Sequence, residues 1–150
     1  MLPRKLKILF LCTGNSCRSQ MAEGWTRRLK SDLIEPYSAG IETHGMNSNA
    51  VKVMTEAGVD ISDQSSKTTD AVRDVPFDYV ITVCGHANEM CPIWLSDKAK
   101  VVHNGFDHPS KLARVTTNKE EALRHYRRIR DEIRRFVQKL PGNLPGENNL

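Results

Sequence analysis

The sequence predicts an α/β protein: a single three-layer domain in which helices cover both faces of a four-stranded parallel sheet. Three observations lead to this prediction. Short apolar segments alternate with amphipathic helical ones along the 150 residues, the order that right-handed crossovers between parallel strands produce. The length suits one domain and is too short for two ordinary ones. Residues with reactive side chains follow the predicted strands, where sheets of this class bind their ligands.

Four segments are predicted as strands. Leu6–Leu11 is a short apolar run, typical of a strand buried on both faces. Leu33–Ala39 contains Pro36, which places this strand at an edge of the sheet because proline lacks the N–H that a central ladder needs. Tyr79–Val83 and Ala99–His103 complete the predicted sheet.

Three helices are predicted from apolar residues at helical spacing. The first carries Met21, Ala22, Trp25 and Leu29. The second starts with Asn47 or Ser48 as its N-cap and ends at Gly58. Its apolar side consists of Ala50, Val51, Met54 and Ala57.

The third helix is long and amphipathic. Thr117 and Glu120 form a capping box that opens it, and Pro141 ends it. Its apolar side consists of Leu123, Tyr126, Ile129 or Arg130, Ile133, Val137 and Leu140. We therefore expect a folded domain over residues 1–140 and a flexible C-terminal tail over residues 141–150.

Composition and charge exclude several classes of protein. Residues of the AVILMFWYC set make up 39% of the chain, which excludes a disordered chain, a collagen-like chain and a disulfide miniprotein. The net charge of +4 suits anionic ligands, and the basic run Arg124–Arg135 fits the solvated face of a helix rather than a nucleic-acid site. No apolar run approaches the roughly 18–20 residues of a membrane span. The N-terminal apolar stretch is broken by Lys7 and lacks a signal-peptide cleavage site, so we expect a soluble, cytoplasmic protein.

The strongest motif is a loop between the first strand and the first helix. It consists of Cys12, Thr13, Gly14, Asn15, Ser16, Cys17, Arg18 and Ser19. The small and polar residues between Cys12 and Arg18 allow successive backbone N–H groups to point inward at a tetrahedral oxyanion. The N-terminus of the following helix adds partial positive charge, and the planar guanidinium of Arg18 can bind two oxygens. The loop therefore predicts an oxyanion site.

The same loop predicts a nucleophile. Its positive field favours the thiolate of Cys12 and so lowers the pKa of this thiol, and Ser19 is placed to hydrogen-bond the thiolate. Gly14 permits a backbone shape that a Cβ would hinder, and Asn15 tolerates a positive φ. Cys17 is either a packed loop residue or a resolving thiol. The alternative for the whole loop is a Gly-Asn turn with buried cysteines.

Cys84 and Cys91 form a second pair of cysteines. Four cysteines in a cytosolic chain indicate metal binding or redox chemistry rather than static disulfides. Zinc sites favour shorter cysteine spacings, and although His103 and His108 could add ligands, we expect no metal. A helix from Cys84 to Cys91 would rise about 10.5 Å, whereas a disulfide requires Cα atoms about 4.4–6.8 Å apart. An oxidised pair therefore requires the segment to unwind or loop; the alternative is a pair of small buried residues under a surface helix.

Together these residues resemble the thioredoxin-coupled arsenate reductases, which are built on the low-molecular-weight tyrosine phosphatase fold. The resemblance extends to about Leu140 and is carried by Cys12–Gly24, Tyr37–Gly45, Cys84 with Cys91-Pro92, and Gly105–Pro109. The first motif alone does not separate a reductase from a phosphatase, whereas the pair of Cys84 and Cys91 does.

The resemblance implies a relay of thiols. Cys12 attacks arsenate and forms a thiol–arsenate adduct, while Asp107 protonates the departing oxygen. Cys84 then attacks Cys12, which releases arsenite and leaves a Cys12–Cys84 disulfide. Cys91 attacks Cys84 in turn, and thioredoxin reduces the resulting Cys84–Cys91 disulfide.

The resemblance also implies partners. We expect arsenate as substrate with phosphate or sulfate as mimics, thioredoxin as reductant, no bound cofactor, no nucleic-acid or membrane partner, and a monomer. For Asp107 the alternative role is to shape the turn before the following proline. His103 and His108 flank it and either tune its acidity or serve as polar loop residues.

One departure concerns a cation. Some relatives hold a potassium ion behind the anion loop with an Asn, a Glu, a Ser and an Asp. Asn15, Glu23 and Ser38 match this set, but Lys67 stands where the Asp is expected. We therefore predict no potassium here, and we expect the Lys67 ammonium to hold Asn15 or Glu23 directly.

Two other functions compete with arsenate reduction. A tyrosine phosphatase would use the same loop, but no aromatic pair follows Asp107 to stack on a phosphotyrosine ring. Weak hydrolysis of small aryl phosphates is still expected, because phosphate and arsenate share shape and charge. A redox or arsenic sensor would cycle disulfides without releasing arsenite.

Overall fold

A central sheet of four parallel strands organises the fold. In a computed structural model, which describes residues 4–147, the strands are β1 (Leu6–Cys12), β2 (Ile34–Gly40), β3 (Tyr79–Thr82) and β4 (Lys100–His103). Their order across the sheet is β2-β1-β3-β4, and every neighbouring pair is parallel. β2 lies at an edge, as Pro36 predicts. The predicted α/β class and four-stranded parallel sheet are confirmed.

Helices connect and cover the strands. They are α1 (Arg18–Lys30), α2 (Ser48–Glu56), a 3-10 helix (Thr69–Val72), α3 (Gly85–Glu89), α4 (Ile93–Ser96), α5 (Pro109–Ala113) and α6 (Lys119–Gln138). α1, α2 and α5 pack against α6, whereas α3 packs against β1 and β3. No helix within residues 4–147 is both long and apolar enough to cross a membrane.

β1 lies at the centre of the core. Successive side chains of a strand point to opposite faces, so a strand buried along its whole length must be covered on both faces. This is the case for the fully buried run Ile8, Leu9, Phe10 and Leu11. The apolar side of α6 is also buried as predicted, with Ile129 rather than Arg130 among its buried residues. These are Leu123, Tyr126, Ile129, Ile133 and Val137.

The helix N-caps agree with the sequence in one case and differ in another. Asn47 caps α2, as predicted. The predicted capping box of Thr117 and Glu120 is wrong, because Asn118 is the N-cap of α6 and its Oδ1 accepts the N–H of Glu121 at 2.8 Å. Asparagine caps at least as well as threonine, so the helix begins one residue later than the box implies.

The chain after α6 is packed rather than loose. Leu144 is only 1% exposed, and the hydroxyl of Tyr79 donates to the carbonyl of Pro145 at 2.5 Å. Residues 141–147 therefore do not match the expected flexible tail, because an apolar side chain enters the core and a β3 hydroxyl binds the backbone. Residues 148–150 of that tail lie outside the described residues.

Candidate active site

The carboxyl ends of three strands meet at one edge of the sheet, as predicted. β1 ends at Cys12, Cys84 follows β3, and the chain beyond β4 leads to His108. A cavity of about 130 Å³ opens at this edge. It is lined by Cys12, Thr13, Gly14, Ser16, Cys17, Arg18, His44 and His108.

The loop keeps its shape through Asn15. Its φ is +48°, as predicted; its Nδ2 donates to Ser19 Oγ at 2.9 Å, and its Oδ1 accepts the backbone N–H of Lys67 at 2.9 Å. A Cβ on Gly14 would lie 2.2 Å from Nδ1 of His44, so glycine lets the imidazole pack against the loop. The Ser19 hydroxyl binds Asn15, and among the described residues no hydrogen bond joins it to the nucleophilic thiol. The expected Ser19–thiolate contact is therefore wrong.

Arg18 is held in place at the first position of α1. It is only 7% exposed, and its Nη1 donates to the carbonyl of Phe106 at 2.9 Å. This bond ties α1 to the segment that follows β4. Because a guanidinium has five N–H donors, Arg18 keeps donors for an oxyanion in the cavity that it lines.

Cys12 ends β1 and Cys84 follows the neighbouring strand β3, so the two thiols lie close enough to affect each other's ionisation. The hydroxyl of Thr13 lies 3.2 Å from Cys84 Sγ, and the N–H of Ala87 donates to the same sulfur at 3.4 Å. The interaction with Cys12, followed by the hydrogen bonds from Thr13 and Ala87, lowers the pKa of Cys84 to about 4. The interaction with Cys84, together with burial, raises the pKa of Cys12 well above its usual range, although Arg18 opposes this.

This pair of thiols titrates as a unit. Of the two thiols, Cys84 has the lowered pKa and Cys12 the raised one, so the pair favours its thiolate on Cys84. The predicted lowering of the Cys12 pKa is therefore wrong. The cause is a second thiol placed against the first, which competes for the same positive field.

The other two cysteines are Cys17 and Cys91, and all four cysteines are free thiols. Cys17 is buried, and burial raises its pKa to about 12, which favours the packed role over the resolving one. Cys91 is partly buried between α3 and α4, and burial raises its pKa as well. α3 occupies residues 85–89 between Cys84 and Cys91, so the segment would have to unwind before these sulfurs could bond.

A polar network lies behind the loop. Glu23 Oε1 accepts the hydroxyl of Ser38 at 2.5 Å, and its Oε2 accepts Arg27 at 2.7 Å. The ammonium of Lys67 donates to a backbone carbonyl two residues earlier at 2.8 Å. The expectation that it holds Asn15 or Glu23 directly is wrong; only the backbone N–H of Lys67 reaches Asn15. Within residues 4–147, no three His, Cys, Asp or Glu side chains come together as a metal site.

The structure does not bring Asp107 into the cavity. Its carboxylate accepts Arg128 of α6 at 3.1 Å, and its side chain is 65% exposed. His103 lies on β4, where its Nδ1 is 2.8 Å from the Thr82 hydroxyl. His108, in contrast, lines the cavity.

Two residues near the loop have roles that the sequence analysis did not assign. His44 lines the cavity, and its Nε2 lies 3.0 Å from Oε2 of Glu42. Gly40 ends β2, where a Cβ would lie 2.8 Å from the backbone N of Asn15. Both belong to the Tyr37–Gly45 motif, which was the available signal.

Comparisons with known proteins agree with this geometry. The arsenate reductase of Halalkalibacterium halodurans is 51% identical over 134 residues, which cover 89% of this chain and 94% of the relative. That of Bacillus subtilis is 50% identical over 126 residues, 84% of this chain and 88% of the relative. A solved arsenate reductase in the phosphate binding state has a TM-score of 0.71 at 29% identity and covers 90% of this chain and 95% of its own.

A phosphatase structure matches as well. The low molecular weight protein tyrosine phosphatase from T. tengcongensis has a TM-score of 0.69 at 25% identity, over 93% of this chain and all of its own. The family model described as low molecular weight phosphotyrosine protein phosphatase matches residues 7–149. Because this model matches nearly the whole chain, the protein belongs to the low molecular weight phosphotyrosine protein phosphatase family.

Proposed function

We propose that this protein reduces arsenate to arsenite with three of its own thiols. One observation carries the proposal: Cys84 lies against the loop that begins with Cys12, with its Sγ 3.2 Å from the hydroxyl of Thr13, beside an oxyanion cavity. A phosphatase of this kind needs one nucleophilic sulfur, whereas a reductase needs a second sulfur within reach to collect electrons. The arsenate reductases that are about 50% identical to this chain also support a reductase rather than a phosphatase.

Cys12 attacks arsenic in the first step. Backbone N–H groups of the loop and the Arg18 guanidinium hold the oxyanion, and the α1 N-terminus adds positive charge. Transfer of the Cys12 proton to the nearby Cys84 thiolate supplies the attacking sulfur. A sulfur–arsenic bond forms, one arsenic–oxygen bond breaks, and the oxygen leaves as water. Arsenic stays pentavalent in this step.

Cys84 collects the electrons in the second step. Its sulfur attacks Cys12, the sulfur–arsenic bond breaks, and the bonding pair stays on arsenic, which leaves as trivalent arsenite. The Cys84 proton passes to the departing arsenite. The Cys12–Cys84 disulfide accounts for the two electrons gained by arsenic.

Cys91 carries the oxidation outward. Its sulfur attacks Cys84, which releases Cys12 as a thiolate and forms a Cys84–Cys91 disulfide. Two exposed apolar residues flank Cys91: Met90 at 54% and Ile93 at 76% exposure. They offer a surface on which thioredoxin can dock while it reduces this disulfide.

The proposal also covers the setting of the reaction. Electrons come from thiols and then from thioredoxin, so the protein needs no bound cofactor. We expect it to act as a monomer in the cytoplasm, where it serves arsenic detoxification. Weak hydrolysis of small aryl phosphates accompanies this role, because the cavity that fits arsenate also fits phosphate.

Arsenate-dependent NADPH consumption with thioredoxin and thioredoxin reductase tests the proposal. We expect Cys12→Ser, Cys84→Ser and Cys91→Ser each to abolish turnover. Full turnover on aryl phosphate in Cys91→Ser, with no arsenite formed by the wild type, would instead identify a phosphatase. Arsenate-dependent disulfides without arsenite would identify a sensor.

A further inference from the structure

Asp107, the expected proton donor, lies outside the cavity, whereas the next residue, His108, lines it. Asp107 is 65% exposed and paired with Arg128, whereas His108 lines the cavity beside Cys12 and Arg18. Consecutive side chains of an extended backbone point in opposite directions, and His108 has extended dihedrals, φ −86° and ψ 102°. Asp107 and His108 therefore do not enter the cavity together.

The backbone around this pair is held on both sides. The N–H of Phe106 donates to the carbonyl of Val83 at 3.0 Å, and the carbonyl of Phe106 accepts Arg18 at 2.9 Å. The carbonyl of His108 accepts the N–H of Leu112 at 3.2 Å, which ties it to the first turn of α5. These bonds oppose a rotation of the backbone that would bring Asp107 into the cavity in place of His108.

These contacts point to a role for His108, and the inference rests on the proposed function. We propose that His108, and not Asp107, supplies the proton taken up by the oxygen that leaves arsenic when Cys12 attacks. The sulfur–arsenic bond forms, the arsenic–oxygen bond breaks, and the departing hydroxide takes the imidazolium proton to become water. Arsenic stays pentavalent in this step, so no oxidation or reduction takes place, and His108 is left neutral.

The charges around the imidazole suit this role. Partial burial is the largest cause that lowers the pKa of His108, followed by Arg18 of α1, Arg114 at the C-terminal end of α5 and Lys111 of α5, while Cys84 opposes them. The ring is therefore mainly neutral at neutral pH. An arriving oxyanion brings negative charge next to the ring, which favours its protonated form. Substrate binding thus loads the acid that the chemical step uses.

Two measurements test the proposal. NMR titration of the His108 ring, with and without inorganic phosphate, should show its pKa rise when phosphate binds, and His103 should not respond. Single-turnover arsenite release should slow at least about tenfold in His108→Gln, with loss of its pH dependence, but less than about threefold in Asp107→Asn. His103→Gln controls for the loss of an imidazole outside the cavity and should match the wild type.

Either measurement can overturn the inference. An unchanged His108 pKa in the presence of saturating phosphate would do so, as would a larger loss in Asp107→Asn than in His108→Gln. If the wild type releases no arsenite, the proposed function fails, and the phosphate titration still decides whether His108 protonates against a bound oxyanion.

Discussion

Replacing Gly85 with alanine should slow the transfer of oxidation from Cys84 to Cys91, because α3 must unwind for these sulfurs to meet. Gly85 opens α3, and a Cβ built there meets no heavy atom within 4 Å, so alanine fits without strain. Alanine favours the ordered segment by about 0.4–1 kcal/mol, since it has fewer conformations to lose than glycine. The opened population should therefore fall roughly two- to fivefold. Ala87 is the one buried residue of α3, so unwinding this helix exposes little apolar surface. The free-energy cost of reaching the unwound state is therefore small.

The assay follows both disulfides after one equivalent of arsenate is mixed with reduced protein. Acid quenching and mass spectrometry should show Cys12–Cys84 and arsenite forming at the wild-type rate, and Cys84–Cys91 forming about two- to fivefold more slowly. Gly142→Ala lies beyond α6, where the added Cβ makes an ordinary 3.6 Å contact, and should change neither rate. Equal rates of Cys84–Cys91 formation in Gly85→Ala and the wild type would refute the reasoning.

Three further predictions concern charge, packing and backbone strain. Because the interaction with Cys12 lowers the pKa of Cys84 to about 4 from the usual 9.0, thiolate absorbance should persist as the pH falls and disappear near that lower value. A midpoint near the usual value would contradict the coupling of the two thiols. Leu144→Ala should lower the free energy of unfolding in urea by about 2–5 kcal/mol, and Asn143→Ala by less than about 0.5 kcal/mol; similar losses would argue against a packed C-terminal segment. Asn15→Ala should be less stable than Asn15→Gly by about 1–2 kcal/mol, since only alanine resists the positive φ, and equal unfolding midpoints would remove that explanation.

Local patterns in the sequence predicted the elements that carry the site. Burial of β1 was predictable from the apolar run Leu6–Leu11, and the edge position of β2 from Pro36. Both properties constrain the residue type at the position itself, so the local sequence shows them. The loop from Cys12 to Arg18 was equally accessible, since its chemistry depends on neighbours in sequence. Asn15 has the positive φ that its residue type permits.

Features that depend on distant contacts were not accessible in the same way. Which of Asp107 and His108 faces the cavity depends on an ion pair with α6, 21 residues away. The pKa of Cys12 depends on Cys84, a residue 72 positions later that follows the neighbouring strand β3. Lys67 was expected to bind Asn15 or Glu23 through its ammonium, but its backbone N–H binds Asn15 instead. Residue type does not predict a backbone contact, because every residue except proline has this N–H.

The most direct test of the thiol relay is disulfide mapping of Cys91→Ser after one equivalent of arsenate. Because Cys84 already lies against the loop that begins with Cys12, the account predicts one arsenite released per chain and a trapped Cys12–Cys84 disulfide. Free thiols at both positions, with arsenate recovered unchanged, would contradict it.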